Sequence, residues 1–199
     1  MSAKLYYPAT SRNREPLLEA VHEVFAASTR VLEVASGSGE HLEFIAPHFP
    51  NCHFVPSDIE PKCLDSVAER ARECPSNNIA TPVRLDASDG PWPNGPFDAV
   101  FNANMIHIAP WAACQGLLAG AAQCLRPGGY LCLYGPFMRS GSHTAPSNAA
   151  FSEDLQRRDS RWGVRDLDEV ERAAVPHGLE LAWVKPMPAN NFTVAFRRD

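Results

Sequence analysis

Residues 31–39, Val-Leu-Glu-Val-Ala-Ser-Gly-Ser-Gly, constrain the fold more than any other part of the chain. The β-branched and aliphatic start has the composition of a buried strand. Gly37 and Gly39 then let the backbone turn sharply and approach a ligand where any Cβ would collide. Residues 40–48 follow with Leu42, Ile45 and Ala46 at helical spacing, and Pro47 and Pro50 mark the end of that helix. A second apolar run, His53-Phe54-Val55, leads to Asp58, nineteen residues after Gly39, where a strand-end carboxylate is placed to accept both hydroxyls of a ribose. This is the β–α–β layout of a nucleoside-binding α/β domain.

Charge selects the nucleoside. A pyrophosphate loop needs free N–H groups, a helix dipole and often a cation, whereas this loop is bracketed by Glu33 and Glu40 and holds no Lys or Arg. The dinucleotide fingerprint is also incomplete, because Leu42 stands at its third glycine. A phosphate-free, cationic nucleoside fits better, and S-adenosylmethionine carries both a sulfonium and an ammonium. Its candidate contacts are Glu33, Ala35, Ser36, Gly37 and Gly39 in the first unit, then Asp58 and Ile59 in the second.

The pattern Glu33-x-x-x-Gly37-x-Gly39 resembles the first motif of class I, Rossmann-type S-adenosylmethionine-dependent methyltransferases, and the later segments follow the order of theirs across most of the chain. The strings Glu33-Val-Ala-Ser-Gly-Ser-Gly, Pro56-Ser-Asp58, Tyr134-Gly-Pro-Phe, Ser147-Asn148, Trp162-Gly-Val-Arg-Asp and Met187-Pro-Ala-Asn-Asn resemble the small methyltransferase-like protein 26 family, which brings no settled substrate with it. The resemblance implies one α/β methyltransferase domain over residues 1–199: a doubly wound, mostly parallel seven-stranded sheet with helices on both faces and an antiparallel C-terminal strand. It also implies that Asp86 bonds the adenine amino group and that the N–H of Ala87 meets the ring. Taken by itself, Asp86 in its Asp-Gly-Pro-rich surroundings is a turn-capping aspartate.

A chain of 199 residues is one domain by prior and buries roughly 70% of its unfolded surface. Apolar residues are 45% and charged residues 21%, ordinary values for a soluble globular protein. The formal charge of −5 opposes a nucleic-acid backbone, and the densest basic stretch, Arg157 to Arg165, is interleaved with Asp154, Asp159, Asp166 and Asp168. No membrane span and no secretion signal are evident, so a cytoplasmic protein without nucleic-acid or membrane partners is expected. The six cysteines form no Cys-x-x-Cys pair and are expected to be reduced and structural, with no metal.

Along the chain, residues 1–12 read as polar turns, and Pro16 opens an amphipathic helix with Leu17, Val21, Val24 and Phe25 on one stripe. The polar stretch 10–15 is placed to fold over the nucleoside, with Asn13 and Arg14 towards the methionine carboxylate; helix capping and solvated surface explain it equally. Residues 61–73 form the next helix, and residues 79–85 a short third strand, broken by Pro82 and therefore near an edge. Residues 97–102 are the fourth strand. Its end presents Asn102, Asn104, Met105 and His107 as reactive-centre candidates, without the Asn-Pro-Pro-aromatic signature of adenine and glutamine N-methyltransferases. A helix over 109–125 stops at Arg126-Pro-Gly-Gly before a fifth strand over 130–134. Residues 135–165 form an insertion placed as a substrate lid, with a helix from Asn148 to Arg158 and Asn148, Phe151, Arg158 and Trp162 as substrate contacts. A helix over 166–176 and strands over 179–184 and 192–196 complete the chain.

Methyl transfer from a sulfonium asks the protein chiefly to align the reactants and exclude water. Where a proton must leave the acceptor, His107 is the leading base and Tyr134 an alternative proton acceptor or orienting group; His107 between Ile106 and Ile108 is equally a core residue. The expected reaction is methylation of a small molecule at oxygen, nitrogen or sulfur. A cofactor-binding scaffold without chemistry and a nicotinamide oxidoreductase are the competing classes.

Overall fold

The computed structural model describes residues 3–199. Its main sheet is built from β1 (Arg30–Val34), β2 (His53–Asp58), β3 (Val83–Arg84), β4 (Phe97–Ala103), β5 (Leu125–Gly135) and two late strands. A smaller sheet uses β6 (Phe137–Arg139), β7 (Ser142–His143) and β8 (Arg165–Asp166), and the late strands are β9 (Leu179–Met187) and β10 (Asn191–Arg198). The main sheet has seven strands in the order β3-β2-β1-β4-β5-β10-β9. Its first five are parallel, and β10 runs antiparallel to both β5 and β9. The strand order reverses between β1 and β4, which opens a crevice at their carboxyl ends.

Side chains alternate across the sheet and divide the core in two. Leu32, Val34, Val100, Leu131, Leu133, Val194 and Phe196 pack with α4 (Trp111–Cys124) and α6 (Leu167–Ala174) on one face. Val31, Ala99, Phe101, Cys132 and Ala195 pack with α1 (Pro8–Ala26) and α2 (Glu40–Ile45) on the other. There Phe25 sets its ring edge against Phe49, Phe54 and Phe101 with centroids 5.7 to 6.0 Å apart, contacts worth about 0.5–1.5 kcal/mol each beyond their area. α3 (Pro61–Glu73) lies beside β2 with the bounds its pattern predicts, and all six cysteines are free and buried.

Several boundaries differ from the sequence reading. α1 begins at Pro8 rather than Pro16, so residues 10–15 are helical and Pro16 lies inside the helix. The early turns repay that cost because Thr10 is buried and Asn13 is bonded to His41. β3 keeps only two residues and sits at the sheet edge, as Pro82 requires. Arg126-Pro-Gly-Gly is not a break but the start of β5. Arg126 pairs with Asp98 at 2.5 Å, and at Gly129 a Cβ would come within 2.9 Å of the Asp98 carbonyl oxygen. The insertion contains the unforeseen β6–β8 sheet, and α5 (Pro146–Arg158) starts two residues early. β9 and β10 are longer than expected, leaving Pro188–Asn190 as their connection.

Candidate active site

The crevice between β1 and β4 widens into a cavity of about 1210 Å³ that runs from the glycine loop to α5. The loop reaches it through left-handed backbone at Ala35 and Gly37 (φ +56° and +58°), and a Cβ on Gly37 would lie 3.1 Å from the Tyr7 ring. Asp58, at the end of β2, accepts the N–H of Gly37 and the N–H of Glu60, each at 2.9 Å. Each carboxylate oxygen keeps a further lone pair for a ligand on the cavity side. Ser36 and Ile59 line the same end.

Under this end, Arg70 of α3 is 2% exposed and joins separate parts of the chain. Its Nε donates to the Ser38 carbonyl at 2.9 Å, one terminal nitrogen donates to the Leu5 carbonyl at 2.6 Å and the other pairs with Glu43. Leu5 N–H donates to Ser66 Oγ at 2.8 Å, and Tyr7 N–H to a Glu40 carboxylate oxygen at 2.7 Å. The segment before α1 is thereby fastened across α3 and lays Tyr7 on the cavity wall, a contact the sequence reading missed. Burial pushes the Tyr7 phenol up to about 12.

The other expected residues divide by where they fall. Asp86 and Ala87 are on the wall; Asp86 also accepts the Ser88 N–H at 2.8 Å, so its turn-capping role is real and its second oxygen remains. Asn104 and Met105 line the centre, Asn104 in left-handed backbone at φ +65°. Asn148, Phe151, Arg158 and Trp162 line the far end together with Ile108 and Asn190. Asn148 is 4% exposed and donates to Thr144 Oγ1 at 3.0 Å and to the Asn190 carbonyl at 2.9 Å, which ties α5 to the β9–β10 turn. Asn13 and Tyr134 meet on the wall: His41 Nε2 donates to Asn13 Oδ1 at 2.9 Å, and the Asn13 amide bonds the Tyr134 hydroxyl. Burial lowers the His41 pKa to about 4 and raises that of Tyr134.

Four expected cofactor contacts lie off the wall. Arg14 turns away and stacks 4.6 Å over the Phe44 ring. Gly39 backs onto Val67 and Arg70, where a Cβ would meet Val67 at 3.0 Å. Asn102 is 1% exposed and donates to the Val34 carbonyl at 2.8 Å, lacing β4 to β1. Glu33 is 2% exposed beneath the loop; burial raises its pKa to about 8, a hydrogen bond from Ser36 lowers it and the Asp58 charge raises it. Glu33 therefore keeps its proton at pH 7, and the negative field expected of it comes instead from Glu40, Asp58 and Glu60.

His107 is the largest correction. It is fully buried against Phe137, and its Nδ1 accepts the Arg165 N–H at 3.1 Å, so the neutral ring carries its proton on Nε2. Nε2 has no partner among the described residues, and burial together with the Arg165 charge lowers the pKa to about 3. A ring in that state takes no proton from an acceptor. The apolar neighbours Ile106 and Ile108 were the signal for this core role. Among the described residues, no group of three or more His, Cys, Asp or Glu is arranged to hold a metal, and no helix is long and apolar enough to cross a membrane.

Comparison with known proteins places this architecture. Residues 4–198 match the family described as protein of unknown function DUF938. The chain belongs to the DUF938 family. Over 103 residues this DUF938 chain is 34% identical to the fatty-acid O-methyltransferase of Mycolicibacterium smegmatis (strain ATCC 700084 / mc(2)155), covering 51% of this chain and 35% of that protein. An O-methyltransferase family protein from Burkholderia thailandensis has a similar structure, with a TM-score of 0.79 at 20% identity over 96% of this chain and 57% of that one. Human N-acetylserotonin methyltransferase, solved in complex with SAM, has a TM-score of 0.71 at 16% identity over 93% of this chain and 54% of that one. The chain spans little more than half the length of these two proteins, and at such identities the likeness is one of fold: the Rossmann-like fold of class I methyltransferases.

Proposed function

We propose that this chain is an S-adenosylmethionine-dependent methyltransferase that acts on a small molecule. The observation that carries the reading is the acidic end of the cavity. Asp58 bonds the glycine loop, Glu60 and Asp86 line the same cavity, and among the described residues no Lys or Arg lines that end. A diphosphate would meet carboxylates there, whereas a sulfonium and an ammonium are attracted. Gly37, whose missing side chain keeps the approach open beside Tyr7, and Asp58, with lone pairs to spare for ribose hydroxyls, fit the nucleoside. Asp86 and Ala87 fit the adenine.

When bound, the cofactor supplies an electrophilic methyl group on a sulfonium. What remains for the chain is to hold the acceptor in line and keep water out. Asn104, Met105 and Tyr134 border the centre of the cavity, and α5 with its flanking segments, residues 135–165 of the single domain, acts as the lid. The motif strings that resemble the methyltransferase-like protein 26 family support the same reading, and the net charge of −5 supports an acceptor that is a small molecule rather than a nucleic acid.

Calorimetry tests this reading directly. S-adenosylhomocysteine binds and NADH does not, and Gly37→Val abolishes binding while the circular dichroism of the fold is retained. Tight NADH binding with indifference to S-adenosylhomocysteine would overturn the proposal.

A further inference from the structure

The glycine-loop end of the cavity carries one large side chain that none of the sequence motifs supplies. Tyr7, in the segment before α1, lines the cavity while 44% exposed, and Ile59 lines the same end at 40%. The Tyr7 ring spans two walls. Its Cε2 edge is 3.1 Å from the point where a Cβ of Gly37 would stand, and its hydroxyl is 3.8 Å from Cys63 Sγ in the first turn of α3. Between those two residues in the chain stands Asp58, which accepts the Gly37 N–H at 2.9 Å and whose charge reaches the Tyr7 phenol.

The ring owes its place to the backbone. The Tyr7 N–H donates to a Glu40 carboxylate oxygen at 2.7 Å and the Tyr7 carbonyl accepts the Thr10 N–H at 2.9 Å, so the residue is pinned to α2 and to the first turn of α1. Two residues earlier, Leu5 is held through both of its backbone groups, the N–H by Ser66 Oγ at 2.8 Å and the carbonyl by Arg70 at 2.6 Å. Ser66 and Arg70 also donate to the Ser38 carbonyl of the glycine loop, at 2.7 and 2.9 Å. Loop and segment thus share one pair of anchors. A ring mounted in this way is ordered before a ligand arrives, and its open face is apolar area still in contact with water.

We infer that Tyr7 is a donor-binding residue: its ring face packs on the ribose held by Asp58, and residues 3–7 are a strap that retains the nucleoside. The inference rests on the methyltransferase reading. A ribose on the spare lone pairs of Asp58 lies within reach of a ring that runs from Gly37 to Cys63. Covering it with about 50 Å² of apolar ring strengthens binding about tenfold. The ligand has to pass the strap to leave, so the gain is carried by a slower dissociation.

The test uses the full chain with two probes, S-adenosylhomocysteine and 5′-methylthioadenosine, which share the nucleoside and differ in the amino-acid tail. In calorimetry Tyr7→Ala weakens both by the same factor, about tenfold, and stopped-flow displacement places the loss in the dissociation rate. Tyr7→Phe, which keeps the ring, restores most of the affinity. Hydrogen exchange of the parent gives a reading that needs no variant: S-adenosylhomocysteine slows exchange of the Leu5 and Tyr7 amides, because a bound nucleoside holds the strap down. Tyr7→Ala binding as tightly as the parent, or more tightly, overturns the inference, the second result showing a ring that obstructs the site. Loss confined to S-adenosylhomocysteine overturns it as well, since the ring would then lie on the tail. Should Tyr7→Ala fail to fold, unchanged exchange at Leu5 and Tyr7 in the liganded parent overturns it and slowed exchange upholds it. If the parent binds S-adenosylhomocysteine in the overturning cases, the methyltransferase reading survives alone; if it does not bind, both fall.

Discussion

Replacing Glu33 by glutamine is expected to stabilise the protein at alkaline pH and to change little at acid pH. Burial is the leading cause that raises this carboxyl from 4.5 to about 8, with the Asp58 charge adding to it and the Ser36 hydrogen bond opposing it. Below about pH 4.5 the group is protonated in the folded and unfolded chains alike and contributes no pH dependence. As pH rises from there to about 8, the unfolded chain releases the proton while the folded chain keeps it, so stability falls. Above that window both forms are ionised and the full penalty, about 5 kcal/mol, is in place. Glutamine has the same shape and never ionises. Its advantage is therefore under about 1 kcal/mol at pH 5 and about 5 kcal/mol at pH 8.5, or roughly 10–20 °C in Tm for a chain of this size. Thermal unfolding of parent and variant across that range, without ligand, measures the difference. A gap in Tm that stays constant from pH 5 to 8.5 would show that Glu33 does not carry a buried proton and refute the reasoning.

Other expectations follow from packing and hydrogen bonding. Arg70→Met leaves the Ser38 and Leu5 carbonyls without their donor and should cost about 3–5 kcal/mol, read as a lower midpoint in urea; an unchanged midpoint would mean the arginine fastens nothing. Gly120→Ala, which helix propensity alone favours by about 1 kcal/mol, should instead destabilise, because the Cβ would sit 1.8 Å from the Trp92 indole. Stabilisation in a urea titration would mean that Trp92 does not pack there. His107→Gln, which keeps an acceptor for the Arg165 N–H, should leave the shape of the pH–rate profile unaltered, and loss of a limb of that profile would restore the histidine as a proton carrier.

What was legible in the sequence was what local pattern controls. The glycine loop, the placement of Asp58, the bounds of α3 and the edge position of β3 each follow from a run of a few residues with one physical meaning. The start of α1 was missed because Pro16 is an acceptable first-turn residue, and the bonds that extend the helix to Pro8 come from His41, twenty-eight positions after Asn13. Strands of two or three residues such as β6, β7 and β8 are too short to show alternation. The burial of Arg70 had a signal, since it shares a helical stripe with Cys63, Ser66 and Val67, but a charge in that stripe reads as solvated until its acceptors are seen. The tautomer of His107 is set by a backbone group fifty-eight residues away, beyond any pattern in its own neighbourhood.

The segment beside the cavity is tethered by polar groups and main-chain carbonyls. Asn148 grips the Asn190 carbonyl, the Gly163 N–H holds the His107 carbonyl at 2.9 Å, and Arg165 reaches the Ile106 and Ala109 carbonyls at 2.8 and 2.6 Å. The side chains that greet a visitor, Phe151 and Ile108, take no part in that rigging. Upholstery and frame are thus separate, and a change of clientele requires new fabric at two positions while every rivet stays in place.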